Sequence, residues 1–412
     1  MTHHCRILGR RFTARRPTGQ QMAPISTSSI FRDCCTHATS AGSLTEVGFS
    51  IRREEVMRAL TVTPGKKGSL SLRDVSEPTA GEGEVLVEAL AVGLCGTDSE
   101  IVAAEYGEAP PGQDFLVLGH ENLGRVLDAP PDSGLAKGDL VVGIVRRPDP
   151  EPCKACAAGE WDMCLNGNYT EHGIKGLDGF SREHWRANAE AMVKLDPDLE
   201  DVGVLLEPTT IVAKAWEQIN RIGKRAFFDP HTAVVTGAGP VGLLAALLGV
   251  QQGLDVHVFD IVTDGPKPQL VRDLGATYHS EPLPDSGIKP NVLVECTGVT
   301  PVVLEALTCR AQDAVTCLTG VSGTGKQTRV DVGALNREEV LMNGVVFGSV
   351  NANRRHYDAG AQALAAADRN WLRRLISRRL PLERFAEAFK HQSDDVKVVL
   401  DLKAPGHRNQ QL

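Results

Sequence analysis

Aromatic residues are scarce in this chain: Trp, Tyr and Phe make up 5% of its 412 residues. That excludes a protein built on aromatic stacking platforms, a common means of gripping single-stranded nucleic acid. A basic excess is missing too. The formal net charge is -8, whereas a nucleic-acid binder needs a basic footprint to displace phosphate counterions. The N-terminus lacks a continuous apolar h-region, so no secretory signal is expected. Without one, the ten cysteines read as thiols or metal ligands rather than a disulfide scaffold. Internal repeats are absent. What is present is a globular composition, 42% hydrophobic and 23% charged, in a chain long enough for two domains.

Residues 1–56 differ from the body, because eight Arg against four acidic residues give them a charge of +4. Such a segment fits a disordered or targeting tail, or an over-long translation start ahead of Met57. Residues 404–412 form a second short tail. The uncharged stretch 232–254 is long enough to cross a bilayer. Glycines and Pro240 interrupt it, and a buried strand, turn and helix account for it better. Neither a membrane nor a nucleic-acid partner is therefore expected, and the expected location is the cytoplasm.

Between 57 and 145, short apolar or alternating runs such as 85–92 and 140–145, punctuated by Gly and Pro, read as strands. Residues 151–185 read as loop, and 202–222 as helix. From residue 232, strands at 233–236, 255–259, 292–295, 314–318 and 345–347 alternate with helical stretches. That alternation predicts a parallel sheet with crossover helices. Residues 356–390 read as helices, followed by a last strand at 396–402.

The first chemical motif is Gly237-Ala238-Gly239-Pro240-Val241-Gly242, set between a strand and a helix. Gly237 permits the tight turn, Gly239 lets a pyrophosphate approach the backbone, and Gly242 lets helix and strand pack closely. The helix N-terminus then faces the phosphates. Asp260 ends the next strand, 23 residues beyond Gly237. A carboxylate there accepts hydrogen bonds from the ribose diol and repels a 2′-phosphate, which favours NAD over NADP. A plainer reading makes Asp260 the start of a solvated loop.

The second constellation is dispersed: Cys95 in Cys-Gly-Thr-Asp, His120 and Glu121 in Gly-His-Glu, and Glu207 in Glu-Pro. A thiolate, an imidazole and a carboxylate suit a tetrahedral zinc site with one position open to substrate. Taken singly, the same residues read as a buried thiol, a loop histidine and a helix cap. Spacing alone does not choose between the two.

Taken in order, these motifs resemble the zinc-dependent medium-chain dehydrogenases over residues 57–403. Leu116–Glu121, Val145-Arg146-Arg147-Pro148, 173–180 and Gly348-Ser349-Val350-Asn351 resemble in particular the archaeal type of glucose dehydrogenase. The resemblance implies an α/β architecture. A GroES-like β-rich catalytic domain (57–214 and 352–403) would hold an inserted Rossmann domain, a doubly wound parallel sheet, at 215–351. It implies oxidation of an aldose, D-glucose first, at the anomeric carbon to its lactone, with hydride passing to a nicotinamide cofactor. Cys95, His120 and either Glu121 or Glu207 would hold the catalytic zinc. Thr97, Glu171, Glu207 and Asn351 would meet sugar hydroxyls, and Thr97 would relay the departing proton. Ile211 stands where some relatives place a polar sugar contact, and Glu100 where alcohol dehydrogenases often carry a relay histidine. Gly239–Gly242, Thr319-Gly320-Val321 and Ser349-Val350-Asn351 would line the dinucleotide. A homo-oligomer, dimer or tetramer, is implied as well.

Two departures from the family pattern stand out. Relatives with a structural zinc use four cysteines, whereas this chain offers Cys153, Cys156 and Cys164, with Pro150 in the first place. Asp149 or Glu151 could complete that site, or the lobe could be metal-free. Arg residues that would hold a 2′-phosphate after Asp260 are missing, although Lys267 lies in the following loop. A dehydrogenase of another sugar, polyol or alcohol, and a non-catalytic NAD(H)-binding protein, remain as alternatives.

Overall fold

The computed structural model describes residues 56–79, 81, 83–323 and 327–403. The tails at 1–55 and 404–412 lie outside the described residues. Two large sheets organise the chain. The first is mostly antiparallel and seven-stranded, in the order Met192–Lys194, Leu140–Gly143, Glu121–Asp128, Glu84–Leu94, Lys397–Asp401, Ile376–Pro381, with His184–Asn188 also paired to Glu84–Leu94. Its central strand, Glu84–Leu94, alternates buried and half-buried side chains before becoming wholly buried, the pattern of a strand covered on both faces at one end. The C-terminal strand returns beside it, with Val398 opposite Leu94. Residues separated by some 300 positions thus meet at one strand end.

The second sheet is parallel and six-stranded: Thr277–His279, Asp255–Phe259, Thr232–Thr236, Val292–Glu295, Val315–Leu318, Val345–Gly348. The order reverses beside Thr232–Thr236, the switch point of a doubly wound fold, where ligands bind beyond the strands' carboxyl ends. All five expected parallel strands are present, and the edge strand Thr277–His279 is additional. Between 356 and 390 the all-helical expectation is corrected. Helices Arg354–Ala366 and Arg369–Leu375 are followed by strand Ile376–Pro381. That strand alternates half-buried and exposed residues while pairing with Lys397–Asp401, and its arginines are held by carboxylates, Arg378 by Asp395 and Arg379 by Asp401.

The uncharged stretch 232–254 resolves into strand Thr232–Thr236 and helix Pro240–Gln251. Pro240 sits at the start of that helix, where its missing N–H costs nothing. Among the described residues no helix is long and apolar enough to cross a membrane. Helix Leu206–Gly223 joins the two sheets: Leu206, Val212 and Trp216 share one core with Leu123 and Leu140 of the first sheet, Val256 and Val294 of the second, and Ala245 of the helix Pro240–Gln251. Trp216 also donates its indole N–H to the Ala245 carbonyl at 3.1 Å. One helix therefore carries side chains for both halves of a cleft.

Candidate active site

At the end of strand Glu84–Leu94 the chain turns into helix Gly96–Val102, with Cys95 as its N-cap in extended conformation. Asp98, in the third helical position, accepts the Cys95 backbone N–H at 2.9 Å, which fixes the thiol at the strand end. The neighbouring strand begins after Gly119, whose φ is +90°. A β-carbon there would also overlap Ser181 and Val92, so only glycine delivers His120 to this place. Cys95 Sγ and His120 Nε2 lie 3.0 Å apart, and Asp98 Oδ1 stands 3.5 Å behind His120 Nδ1. Glu121 pairs in register with Gly93. Its carboxylate takes bonds of 2.6 and 2.7 Å from Lys397 Nζ, which also reaches the Leu94 carbonyl at 3.2 Å. Glu207 arrives from the first turn of helix Leu206–Gly223, and its carboxylate, that of Glu121 and a His120 ring nitrogen lie within 4.8 Å of one another.

Asp98, His120, Glu121, Glu207 and Lys397 are all buried. Burial pushes the Glu207 carboxyl up to about 7, with Glu121 adding to the effect and His120 and Lys397 opposing it. Burial works against charge on His120 as well, yet Cys95 and Asp98 hold its imidazole well above the usual value. Buried His120 Nδ1 and Asp98 Oδ1 have no full hydrogen bond. One thiol, one imidazole and three carboxyls converge beside the ammonium of Lys397, and a divalent cation would take the place of the proton that Cys95 and Asp98 hold on the imidazole. The thiol, imidazole and carboxylate donor set fits zinc, and Asp98 behind the imidazole is the carboxylate that such ligands usually carry.

Around this point the other expected residues fall into two groups. Glu171 is buried, bound by Arg146 Nε and Nη2 at 3.0 Å each and by Asn351 Nδ2 at 2.6 Å. Ile211 lies one turn beyond Glu207 on the same helix, and Thr97 is half-buried in helix Gly96–Val102. Glu100 is exposed. The second group marks the carboxyl ends of the parallel strands. A β-carbon on Gly242 would overlap the Gly237 carbonyl, whereas one on Gly239 would meet nothing within 4 Å. Gly239 is therefore the open face of the turn, and Gly242 the tight one. Asp260 Oδ2 accepts the Ala238 N–H at 2.6 Å and Oδ1 the Val262 N–H at 3.2 Å, so its carboxylate is held at the turn with acceptor positions to spare. Thr319 and Gly320 bond back to the Glu295 carbonyl, and Ser349 to that of Leu318. Val321 and Val350 are exposed.

The family profile described as "Alcohol dehydrogenase GroES-like domain" matches residues 81–197, and that described as "Glucose dehydrogenase C-terminus" matches 200–402. The chain is 39% identical over 359 residues to a glucose 1-dehydrogenase of Methanocella arvoryzae, covering 84% of this chain and 100% of that protein. The chain belongs to the zinc-dependent medium-chain dehydrogenases, within the archaeal type of glucose dehydrogenase. A glucose 1-dehydrogenase of Thermoproteus tenax is likewise 39% identical, with 84% of this chain and all of that protein covered. Among solved structures, the Haloferax mediterranei glucose dehydrogenase in complex with NADP, Zn and gluconolactone superposes with a TM-score of 0.79. It is 31% identical, with 84% of this chain and 100% of that chain covered.

In this dehydrogenase Cys153, Cys156 and Cys164 also converge, their sulfurs within 4.8 Å of one another. Backbone N–H groups of Leu165 and Cys156 pull the Cys153 thiol down to about 6, while burial pushes Cys156 up to about 11. Asp149 instead bonds the Glu151 N–H and the Asn166 side chain, and Glu151 is exposed. Neither carboxylate joins the three thiols. Several site residues carried no assignment from sequence. Asp98 lies inside the quoted Cys-Gly-Thr-Asp motif, and its three-residue spacing from Cys95 is that of a capping box. Lys397 opens an apolar strand, and a lysine in such a run signals a buried partner. Glu295 accepts the Thr297 and Gly298 N–H groups beneath the dinucleotide turn, a role only the folded sheet displays.

Proposed function

We propose that this dehydrogenase oxidises an aldose, D-glucose foremost, at its anomeric carbon, passing hydride to a nicotinamide cofactor and releasing the lactone. The observation that carries this reading is the donor set of half-buried Cys95 with buried His120, Glu121 and Glu207, beside the Glu171–Asn351 pair. The charges of both Glu207 and Glu171 bear on the buried Tyr357 hydroxyl and, with burial, raise it. A protein that only binds dinucleotide has no use for such a donor set.

Cys95, His120 and either Glu121 or Glu207 would hold a zinc ion, which when bound supplies Lewis-acid polarisation of the C1 hydroxyl. Asp98 fixes the His120 tautomer so that Nε2 is free as a ligand. Lys397 engages Glu121 through both oxygens, which leaves Glu207 the more available carboxylate in this state. Thr97 Oγ1 relays the C1 hydroxyl proton, accepting it while passing its own on toward solvent, and Glu171 and Asn351 orient the remaining hydroxyls. Gly239 and the N-terminus of helix Pro240–Gln251 receive the pyrophosphate. Asp260 takes the ribose diol, so NAD+ is preferred over NADP+.

The catalytic domain comprises 57–214 and 352–403, with the dinucleotide domain 215–351 inserted. The functional unit is a homo-oligomer: among the described residues Val345–Gly348 is the last strand of the parallel sheet, and Val332, Val340 and Leu341 of the preceding helix are exposed. A cytoplasmic setting agrees with seven described cysteines that are all free thiols. Zinc content decides the three-thiol lobe: two ions per chain if it binds metal, one if it does not. Ile211, apolar and one turn from Glu207, favours as second reading a different sugar or polyol. Initial rates with an aldose, polyol and alcohol panel, run with NAD+ and NADP+, separate the two. The account expects D-glucose with NAD+ to lead; a polyol or simple alcohol in first place would replace it.

A further inference from the structure

Lys214 takes no part in the chemistry above, yet it is buried near the middle of the long helix, two turns beyond Glu207. Its Nζ lies 2.8 Å from Asp162 Oδ2, with side chains 2% and 0% exposed. The same ammonium donates to the Val350 carbonyl at 3.0 Å. Asp162 in turn accepts Asn353 Nδ2 on Oδ1 at 2.9 Å. One ion pair therefore ties together the helix bearing Glu207, the turn Trp161–Met163, and both ends of the segment 350–353.

Between those two tethers stands Asn351 in the left-handed region, with φ at +61°. Asparagine is one of the few residues besides glycine that adopts that conformation, helped by a local side-chain hydrogen bond. The conformation sends Asn351 Nδ2 to Glu171 Oε1 at 2.6 Å, while its Oδ1 accepts the Ala352 N–H at 2.8 Å. A buried ion pair is a poor source of stability, because desolvation offsets its attraction and apolar residues of similar volume serve as well or better. What Lys214 supplies, and an apolar residue cannot, is a donor for Val350 and a fixed distance from Glu207 to the Asn351 turn.

We propose that Lys214 is a positioning residue for sugar recognition: through Asp162 and the Val350 carbonyl it locks the 350–353 turn so that Asn351 and Glu171 meet at a set distance from Glu207. This rests on the sugar-dehydrogenase reading, so the wild-type full chain is assayed first. If it oxidises no sugar, that reading fails and takes the positioning role with it. If it does, three variants are compared: Lys214→Met, Lys214→Arg, and Lys214→Met combined with Asp162→Asn, which removes the stranded charge and protects folding. For each, circular dichroism melting, zinc content, dinucleotide Kd and the kcat and KM for D-glucose are measured.

A displacement of about 1 Å in a positioned group costs on the order of 100-fold, so the double variant is expected to raise KM for glucose by roughly 10- to 100-fold. Zinc content and dinucleotide Kd stay near wild type, and Lys214→Arg, which keeps charge and donors, recovers part of the loss. A folded double variant with wild-type KM overturns the proposal. So does a loss spread equally over sugar KM, dinucleotide Kd and melting temperature, since that pattern belongs to a merely structural pair.

Discussion

Asp98→Asn is the substitution that interrogates the centre of the site most sharply. Asp98 is fully buried; burial opposes its charge, but His120 and the Cys95 N–H hold its carboxyl below the usual value. One oxygen accepts the Cys95 N–H at 2.9 Å and the other stands 3.5 Å from His120 Nδ1. An asparagine keeps the shape but can satisfy only one neighbour. If its oxygen stays on Cys95, its NH2 faces Nδ1, Nδ1 must become an acceptor, and the proton moves to Nε2, which then cannot ligate a cation. If the amide flips, His120 is served and the Cys95 N–H is left buried without an acceptor, at about 1–3 kcal/mol. Loss of such a carboxylate typically weakens metal binding by about 10- to 100-fold, or roughly 1.4–2.7 kcal/mol. Competition against a chromophoric chelator measures zinc affinity, and a parallel melt reports stability. Zinc affinity within about twofold of wild type would refute the claim that Asp98 sets the imidazole tautomer.

Lys397→Met should destabilise the protein by about 3–5 kcal/mol in denaturant titrations, because it strands the buried Glu121 carboxylate. Adding Glu121→Gln should restore most of the loss; no restoration would mean that Lys397 acts through packing. Asp260→Ser should raise the NADP+ to NAD+ ratio of kcat/KM by about tenfold or more, and an unchanged ratio would remove Asp260 from cofactor choice. Asp395 is largely buried, and two 2.7 Å bonds from Arg378 outweigh burial to hold its carboxyl below 3.8. A lowered carboxylate contributes stability above the unfolded value, lost as pH falls through the folded one. The melting-temperature gap between wild type and Asp395→Asn should therefore be widest above 3.8 and close in stronger acid, where a constant gap would argue against the linkage.

Much of the site was legible because its residues lie in short motifs with chemical meaning: a glycine turn between strand and helix, and a cysteine, histidine and two glutamates in recognisable settings. The parallel strands were legible because β-branched runs recur between helices. What escaped depends on long-range pairing. Ile376–Pro381 carries Arg378 and Arg379, which read as a helix surface until its partner Lys397–Asp401 is known. Thr277–His279 is three residues long and rests on its neighbour. Lys397 and Glu121 are 276 positions apart, and Lys214 and Val350 are 136 apart. Periodicity speaks only for local neighbours, so partners brought together by the return of the C-terminal strand, or by the turn after Gly348, had no local signal.

The central claim is hydride loss from the anomeric carbon of an aldose. The most direct test is oxidation of D-glucose deuterated at C1, followed by NMR of cofactor and sugar. The account predicts deuterium at C4 of the reduced nicotinamide, a slower rate than with unlabelled sugar, and a lactone product. Cofactor reduction without transferred deuterium, or with the label retained in the sugar, would place the chemistry at another carbon and contradict it.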